Sequence, residues 1–316
     1  MVDWTIIKTL IWTESYFKKY SQGSASENIT TPGHIPNHIP NHIIDSPRLT
    51  AEILLAHSLG LERLDLYLQH DRPLEKKELS AFKALIKRRL NGEPVAYITG
   101  TKGFFDSEFD VAKGVLVPRP DTETLVEQAL AVLVDKSEKS KVKNPFKRVL
   151  ELGVGSGAII LSLAKAAPGH LYFASDVSLV ALGMAIKNAH RIARGQVCFF
   201  AGNWLSAVQP CPYFDLIVSN PPYIPTKDVQ DLQLEIKAFE PMLALDGGPD
   251  GLDCYRLLLG QVHEHLIPGG VIMFEIGFDQ QEGIRSIVKK YPQYESIKFI
   301  RDLAGHDRVV KIKKID

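Results

Sequence analysis

The C-terminal half of the chain alternates short apolar runs with segments of helical periodicity, and this pattern constrains the fold more than any other feature. The predicted strands are residues 148–152, 171–175, 197–201, 214–219, 271–275, 296–300 and 308–312. Predicted helices at residues 158–167, 179–191, 255–266 and 280–290 separate most of them. Such alternation predicts an α/β fold with a doubly wound, seven-stranded, mostly parallel sheet. No helix separates the last two strands, so we expect them to pair antiparallel.

The first 92 residues have a different pattern, because their apolar residues recur at helical spacing. A run rich in Ser, Gly, Asn and Pro interrupts this pattern at residues 21–46. Directly after it, Ser46-Pro47 has the form of a helix N-cap followed by a proline in the first turn. We therefore predict a small N-terminal helical domain over residues 1–92, with a flexible insertion at residues 21–46.

A change to alternating aromatic and apolar residues with glycines begins at Val95 and continues to Val117. This pattern is typical of β-structure and predicts a β-hairpin linker over residues 93–117. The α/β domain then occupies residues 118–316.

Composition narrows the function classes. The 316 residues include 37 basic and 37 acidic side chains, so the formal net charge is zero, which argues against a protein that coats nucleic acid. No apolar run approaches the ~18 residues of a membrane span, and we expect no signal peptide. The three cysteines have no paired spacing, which predicts a reducing, cytoplasmic location without disulfides or a zinc site.

Three histidines recur every four residues within the insertion, at His34, His38 and His42. The prolines between them forbid a helix that would place all three on one face, and no cysteine or carboxylate cluster accompanies them. We therefore predict a loop in this segment and no metal site.

A glycine-rich turn follows the first predicted strand, where VLELGVGSGAI places Gly153, Gly155 and Gly157 before a helix. Glycines at such a turn let the backbone bend sharply and approach a ligand closely. Asp176 ends the second strand, where its carboxylate can accept hydrogen bonds from both hydroxyls of a ribose. Together these features predict a nucleoside-containing cofactor but also fit a dinucleotide enzyme, and a purely structural turn is the alternative.

A second motif, Asn220-Pro221-Pro222-Tyr223, follows the fourth predicted strand. The two prolines end the strand and stiffen the loop, which should lie beside the glycine turn at the carboxyl edge of the sheet. We expect the Asn220 side chain and the Pro221 carbonyl to accept both hydrogens of one NH2 group. Tyr223 would form a wall of the same pocket.

This pair of acceptors suits methyl transfer to a planar nitrogen. The lone pair of an amide or aromatic amine is delocalised, so the nitrogen is a poor nucleophile. Two fixed acceptors orient it and stabilise the positive charge that develops during attack. A sulfonium methyl group is the electrophile that fits, which predicts S-adenosyl-L-methionine as the cofactor. The structural alternative is a proline-terminated turn with Asn220 as its cap.

From about Ser46 to Val310, the chain resembles the HemK/PrmC-type release factor glutamine N5-methyltransferases. The segments that carry the resemblance are SPRLTAEILLAHSLG (46–60), RRLNGEPVAYITG (88–100), VPRPDTE (117–123), ELGVGSGAI (151–159), SNPPYI (219–224), EPMLALDGGPDGLDCYR (240–256), PGG (268–270), FEIG (274–277) and DLAGHDRVV (302–310). The NPPY motif is shared with adenine-N6 methyltransferases, whereas PRPDTE and EPMLALDGGPDGLD are more particular. A sister family that methylates a ribosomal protein has a Pro-Arg-Ser-Pro-type segment where this chain has Pro118-Arg119-Pro120, which favours the release-factor branch.

The resemblance implies a class I S-adenosylmethionine-dependent methyltransferase fold and assigns roles to matching residues. Cofactor binding would involve Gly153, Val154, Gly155, Ser156 and Gly157 at the methionine part, Asp176 at the ribose, Asn203 and Trp204 at the adenine, and also Asn220. The substrate amide would meet Asn220, Pro221, Pro222 and Tyr223, of which Asn220, Pro221 and Tyr223 would be catalytic. Phe104, Arg119 and Glu123 would flank cofactor and substrate, although Arg119 could instead form a structural ion pair with Glu123. Family members often carry Asp at the position of Asn203, so this side chain would accept a hydrogen bond without charge.

The implied reaction is methylation of the side-chain amide nitrogen (N5) of the glutamine in the Gly-Gly-Gln loop of class-I peptide chain release factors. No stable nucleic-acid or membrane partner is expected. One alternative is an adenine-N6 methyltransferase acting on DNA or RNA, because a flipped base presents a similar NH2 group. Another is a glutamine methyltransferase acting on a ribosomal protein. A nicotinamide dehydrogenase or a non-catalytic nucleotide-binding module would leave the NPPY motif unexplained.

Overall fold

The computed structural model describes residues 4–22, 44–134 and 146–316. Most of the predicted insertion at residues 21–46, including its three histidines, lies outside the described residues. The chain divides into two compact units. One is Met1–Gly100 with Leu232–Phe239, and the other is Thr101–Asp231 with Glu240–Asp316.

The helices and strands have the following bounds. The helices are α1 (Ile6–Ser21), α2 (Pro47–Leu59), α3 (Arg63–Leu68), α4 (Lys76–Leu90), α5 (Val95–Thr99), α6 (Glu123–Val134), α7 (Ala158–Ala166), α8 (Leu179–Ile192), α9 (Leu234–Phe239), α10 (Asp253–Gln261) and α11 (Gln281–Val288). The strands are β1 (Thr101–Phe104), β2 (Ser107–Asp110), β3 (Arg148–Leu152), β4 (Leu171–Asp176), β5 (Val197–Ala201), β6 (Phe214–Ser219), β7 (Leu266–Glu275), β8 (Tyr294–Arg301) and β9 (Asp307–Lys314). Short 3-10 turns lie at Pro120–Thr122, Asp228–Asp231, Met242–Ala244 and Val262–Glu264.

The first unit is helical and buries one face of each long helix. Leu10 of α1, Leu54 of α2 and Phe82 of α4 are almost fully buried in one hydrophobic cluster. Ser46 is the N-cap residue of α2 and Pro47 is its first residue, as the sequence predicts. Helical spacing of apolar residues therefore predicted these elements correctly, because each helix needs a single apolar face.

The predicted hairpin begins later than expected. Val95–Thr99 forms the short helix α5 rather than a strand, so that part of the prediction is wrong. Pro94 precedes the helix and Gly100 ends it with a φ of 81° in the left-handed region, which favours glycine. The antiparallel hairpin itself is confirmed, at Thr101–Phe104 and Ser107–Asp110.

Seven strands of the second unit form one sheet in the order β5-β4-β3-β6-β7-β9-β8. Strands β3 to β7 pair in parallel, and β9 pairs antiparallel with both β7 and β8, which confirms the predicted architecture. From β3 the chain adds strands towards one edge of the sheet, and from β6 it adds them towards the other. Doubly wound sheets bind ligands at this point of reversal, between β3 and β6. Leu152 of β3 is the register partner of Ser219 of β6, so the loops after these strands begin side by side.

Helices cover both faces of the sheet and fix the positions of the strand ends. On one face, Leu125 of α6, Leu161 of α7 and Ala185 of α8 are fully buried. On the other, Tyr255 of α10 and Ile284 of α11 are fully buried. Within the three described stretches, no helix has both the length and the apolarity needed to span a membrane.

Candidate active site

The glycine turn after β3 is held against the next strand by its own backbone. The N–H groups of Gly153 and Val154 both donate to the Ser175 carbonyl, at 2.9 Å each. Gly153 and Gly155 have φ angles of 76° and 56°, a region that other residues rarely adopt. Val154 and Ser156 are buried beneath the turn. The turn therefore exposes mainly bare backbone to the space above the sheet.

Asp176 at the end of β4 organises this turn. Its Oδ2 accepts a hydrogen bond from the Gly155 N–H at 2.9 Å, and its Oδ1 accepts one from the Ser178 N–H at 2.8 Å. A single carboxylate thus holds both the glycine turn and the start of α8. The side chain is 9% exposed, and it also borders the cavity described below.

Trp204, in the loop after β5, has an unusual backbone conformation. Its φ is 53°, which is uncommon for a residue with a side chain and stores strain that the surrounding structure must hold. A Cβ placed on Gly153 would lie 3.7 Å from Cζ3 of the indole, so the ring packs directly against the glycine turn. The neighbouring Asn203 donates its backbone N–H to Ser206 Oγ at 3.1 Å.

The NPPY motif follows β6 beside the glycine turn, as predicted. The Asn220 Nδ2 donates to Thr122 Oγ1 at 3.3 Å, and the Tyr223 hydroxyl donates to Glu275 Oε1 at 3.2 Å. Pro221 is buried. Burial, reinforced by the neighbouring Glu275 charge, raises the pKa of Tyr223 above its ordinary value. Burial also raises the pKa of Glu275, to about 7.

Three residues that the resemblance placed near the ligands have structural roles, and two of them belong to the PRPDTE segment. Arg119 forms an ion pair with Glu240, which is almost fully buried. Oε1 of Glu123 accepts the Phe105 N–H at 2.9 Å, so the predicted alternative of an Arg119–Glu123 ion pair is wrong. Phe104 packs in the hydrophobic core.

A cavity of about 260 Å³ lies at the carboxyl ends of β3, β4 and β6. Of the predicted site residues, it is lined by Gly153, Gly155, Asp176, Asn203, Trp204, Asn220 and Pro222. Its lining does not include Val154, Ser156, Gly157, Pro221 or Tyr223. Residues that the sequence did not single out complete it: Gly114, Leu116, Val177, Ser178, Ala181, Gly202, Pro241, Leu243, Ala244, Asp246 and Cys254. Several of these belong to EPMLALDGGPDGLDCYR. The motif therefore pointed to the right segment of the chain, but it did not show which of its residues line the cavity.

The lining fits a nucleoside joined to an amino acid. Trp204 and Leu116 offer apolar walls suited to a planar base, whereas Asp176 offers acceptors for ribose hydroxyls. Gly153 and Gly155 have no Cβ, so the backbone there leaves room for the amino-acid part of such a ligand. Among the residues that the structure describes, no group of three His, Cys, Asp or Glu side chains could hold a metal ion.

A nucleoside cavity at the switch point of a seven-stranded sheet, bordered by acceptors for an NH2 group, defines a class I S-adenosylmethionine-dependent methyltransferase. The solved structure of the hMettl16 catalytic domain in complex with MAT2A 3′UTR hairpin 6 shares the fold. That likeness has a TM-score of 0.51 at 11% identity and covers 66% of this chain and 74% of the other.

The family follows from two models and from full-length relatives. The model of the PrmC N-terminal domain matches residues 40–100, and that of the methyltransferase small domain matches residues 123–239. A release factor glutamine methyltransferase of Geobacter sulfurreducens is 38% identical over 97% of this chain and 96% of its own length. One from Rhodopirellula baltica is 34% identical over 98% and 97%, respectively. The chain belongs to the release factor glutamine methyltransferase family, as the resemblance implied, and its methyl donor is S-adenosyl-L-methionine.

Proposed function

We propose that the enzyme methylates the side-chain amide nitrogen, N5, of the glutamine in the Gly-Gly-Gln loop of class-I peptide chain release factors. The observation that carries this proposal is the placement of Asn220 and Pro221 directly after β6, next to the glycine turn after β3. An NH2 group held by these two residues lies beside the cofactor cavity. The relatives, which are release factor glutamine methyltransferases by name, support the substrate class.

The residues of the NPPY motif make a weak nucleophile reactive. When bound, S-adenosylmethionine supplies a sulfonium methyl group. The Asn220 Oδ1 and the Pro221 carbonyl oxygen each accept one hydrogen of the substrate amide, which orients its nitrogen and stabilises the positive charge that develops there. Pro221 and Pro222 keep both acceptors in place, because proline limits backbone rotation. The extra proton leaves after the transfer, so no strong base is required before it.

Separate groups of residues hold the three parts of the cofactor. Gly153 to Gly157 hold the methionine part, with Gly153 and Gly155 in direct contact and the remaining residues shaping the turn. Asp176 holds the ribose, and Asn203 with Trp204 holds the adenine. The lining of the cavity supports these assignments for five of the eight residues, and Val154, Ser156 and Gly157 act only through the backbone that they support.

We assign recognition of the release factor to the N-terminal helical domain, residues 1–92, and the chemistry to residues 118–316. The linker at residues 93–117 joins them. We also place the enzyme in the cytoplasm, without a stable nucleic-acid or membrane partner. The three cysteines, all within the described residues, form no disulfide, which is compatible with a reducing compartment.

A methylation assay with tritiated S-adenosylmethionine tests the proposal. Purified class-I release factor should be labelled, whereas a release factor whose loop glutamine is replaced by alanine should not. A ribosomal protein fraction and naked DNA serve as competing substrates. Equal labelling of the alanine variant, or faster labelling of either competitor, would overturn the substrate assignment.

A further inference from the structure

The donor end of the Asn220 amide is held by a residue to which no role had been assigned. Asn220 Nδ2 donates to Thr122 Oγ1 at 3.3 Å. Thr122 ends the 3-10 turn Pro120–Thr122 and is only 4% exposed, so packing fixes the position of its hydroxyl. It touches Asn220 without lining the cofactor cavity.

Thr122 also lies near a buried carboxylate at the end of β7. Glu275 is 1% exposed and its Oε1 accepts the Tyr223 hydroxyl at 3.2 Å, while the Thr122 hydroxyl lowers the pKa of this carboxyl. The Tyr255 hydroxyl donates to the backbone carbonyl of Glu275 at 2.7 Å, which anchors the residue from the α10 side. The two polar side chains of the NPPY motif are thus held by buried groups, Asn220 by the hydroxyl of Thr122 and Tyr223 by the carboxylate of Glu275.

The hydrogen bond to Thr122 fixes one of the two orientations of the Asn220 amide. The NH2 group of Asn220 points towards Thr122 Oγ1, which accepts its hydrogen bond. The carbonyl oxygen of Asn220 is left as the acceptor for another group. A flipped amide would offer a donor to the substrate NH2 group, which cannot accept it.

We propose that Thr122 and Glu275 are positioning residues that set the orientation of Asn220 and Tyr223 for methyl transfer. The inference rests on the proposed function, because it takes Asn220 to bind the substrate amide. Because the pKa of Glu275 is raised to about 7, the orientation of Tyr223 should also depend on pH. The ionised acid accepts from the Tyr223 hydroxyl, whereas the protonated acid can instead donate to it and release the ring from its position.

The closing experiment compares Thr122→Val with Thr122→Ser. Valine has a similar shape but no hydroxyl, so kcat for methylation of the release factor should fall by about tenfold or more, because the amide loses its fixed orientation. The dissociation constant for S-adenosylmethionine, measured by calorimetry, should stay within about twofold. Serine keeps the hydroxyl and should restore most of kcat. If the valine variant retains wild-type kcat, the inference is wrong although the proposed function stands.

Failure of the proposed function has a different signature, because the wild-type enzyme would then not label the release factor at all. A readout independent of turnover uses the side-chain NH2 signal of Asn220 in nuclear magnetic resonance, identified by its loss in Asn220→Ala. This signal should shift, and its hydrogens should exchange faster with solvent, in Thr122→Val but not in Thr122→Ser. An unchanged signal in the valine variant overturns the inference.

A second variant, Glu275→Gln, keeps the inference testable if valine at position 122 impairs folding. Its readout is the pH dependence of kcat. The groups that face Glu275 are Tyr223, Tyr255, Arg308 and Asp121. Wild-type kcat should rise as the pH increases through about 7, when Glu275 ionises. Glutamine cannot ionise, so this rise should be absent from the variant. A rise that persists in Glu275→Gln, or its absence from the wild type, contradicts the inference.

Discussion

At the scale of single residues, some groups border the cavity and others hold those groups in place. Asn220 borders the cavity, and its amide nitrogen is bound to Thr122, which leaves its oxygen as the acceptor in the proposed substrate contact. Asp176 combines both tasks, since its carboxylate borders the cavity and also accepts the Gly155 N–H. The two residues should therefore fail in different ways when they are changed.

Asn220→Ala should reduce kcat by at least about a hundredfold, because it removes one of two acceptors that stabilise charge at the reacting nitrogen. The dissociation constant for S-adenosylmethionine should change little. Steady-state kinetics with the release factor and calorimetry with the cofactor check the two halves of this prediction. An equal loss of cofactor binding would assign Asn220 to the cofactor instead.

Asp176→Ala should have the reverse effect. The variant loses the ribose acceptor and also the bond that holds Gly155, so cofactor affinity should fall by about tenfold or more. At saturating cofactor, kcat should recover most of its wild-type value. Calorimetric titration and kcat at high cofactor concentration provide the measurement, and a kcat that stays low under saturation contradicts it.

Glu151, at the base of the glycine turn, makes stability depend on pH. It is 1% exposed, and burial raises its pKa well above the ordinary value, although the hydrogen bond from the Ile160 N–H at 2.9 Å opposes this. Since the folded-state pKa is raised, its contribution to stability is complete below the unfolded pKa and is lost as the pH rises towards the folded pKa. Glu151→Gln should therefore gain stability over the wild type with increasing pH, by at most about 1.4 kcal/mol per pH unit. Urea unfolding between pH 5 and 8 tests this, and a difference that does not change with pH refutes it.

At the scale of elements, a single buried asparagine connects the hairpin, the glycine turn and α8. Asn188 Oδ1 accepts the Asp110 N–H at 2.8 Å, while its Nδ2 donates to the carbonyls of Asp110 and Ser156 at 3.0 and 2.8 Å. It is fully buried in the middle of a helix. The position of the glycine turn thus depends on a side chain that never approaches the cavity.

Asn188→Ala should destabilise the enzyme by about 3 kcal/mol, because it leaves three backbone groups without their partner. Lys187→Ala is the matched control in the same helix, since Lys187 is mostly exposed and its ion pair with Asp110 should contribute little. Chemical unfolding measures both variants. Similar losses in the two would mean that the network around Asn188 is not what stabilises this region.

At the scale of the whole molecule, a net charge of zero leaves recognition of a protein substrate to locally placed charges. The second half of α4 carries four basic residues, Lys83, Lys87, Arg88 and Arg89, and two of them are already paired within the helical unit. Arg88 pairs with Glu93, and Arg89 pairs with Glu235, at 2.6 Å in each case. Lys83 and the exposed Lys87 are therefore the better candidates for contact with an acidic surface.

Lys87→Glu, combined with Lys83→Glu, should raise KM for the release factor by about threefold to tenfold at low salt, and less at high salt, because such contacts are screened. Cofactor affinity should not change. Lys77→Glu, at the opposite end of α4, is the control. A KM that stays unchanged, or that rises equally in the control, removes this face of α4 from the binding surface.

The α/β architecture could be predicted from the sequence, because the periodicity of apolar residues directly reflects which side chains are buried. All seven strands of the sheet, the antiparallel pairing of the last two and the neighbouring positions of the glycine turn and NPPY motif follow from that pattern. The pattern was wrong at Val95–Thr99, where local alternation is equally compatible with a short helix between Pro94 and Gly100.

What the sequence by itself determined was the class of the fold and the edge of the sheet where the glycine turn and the NPPY motif lie side by side. These features depend on residues close together in the chain, where spacing and residue type are sufficient. Only the tertiary structure decided that Arg119 pairs with Glu240 rather than Glu123, that Thr122 meets Asn220 and that Glu275 meets Tyr223. Those contacts join residues 52 to 121 positions apart in the chain, and no local pattern encodes which distant polar groups packing will bring within hydrogen-bond distance.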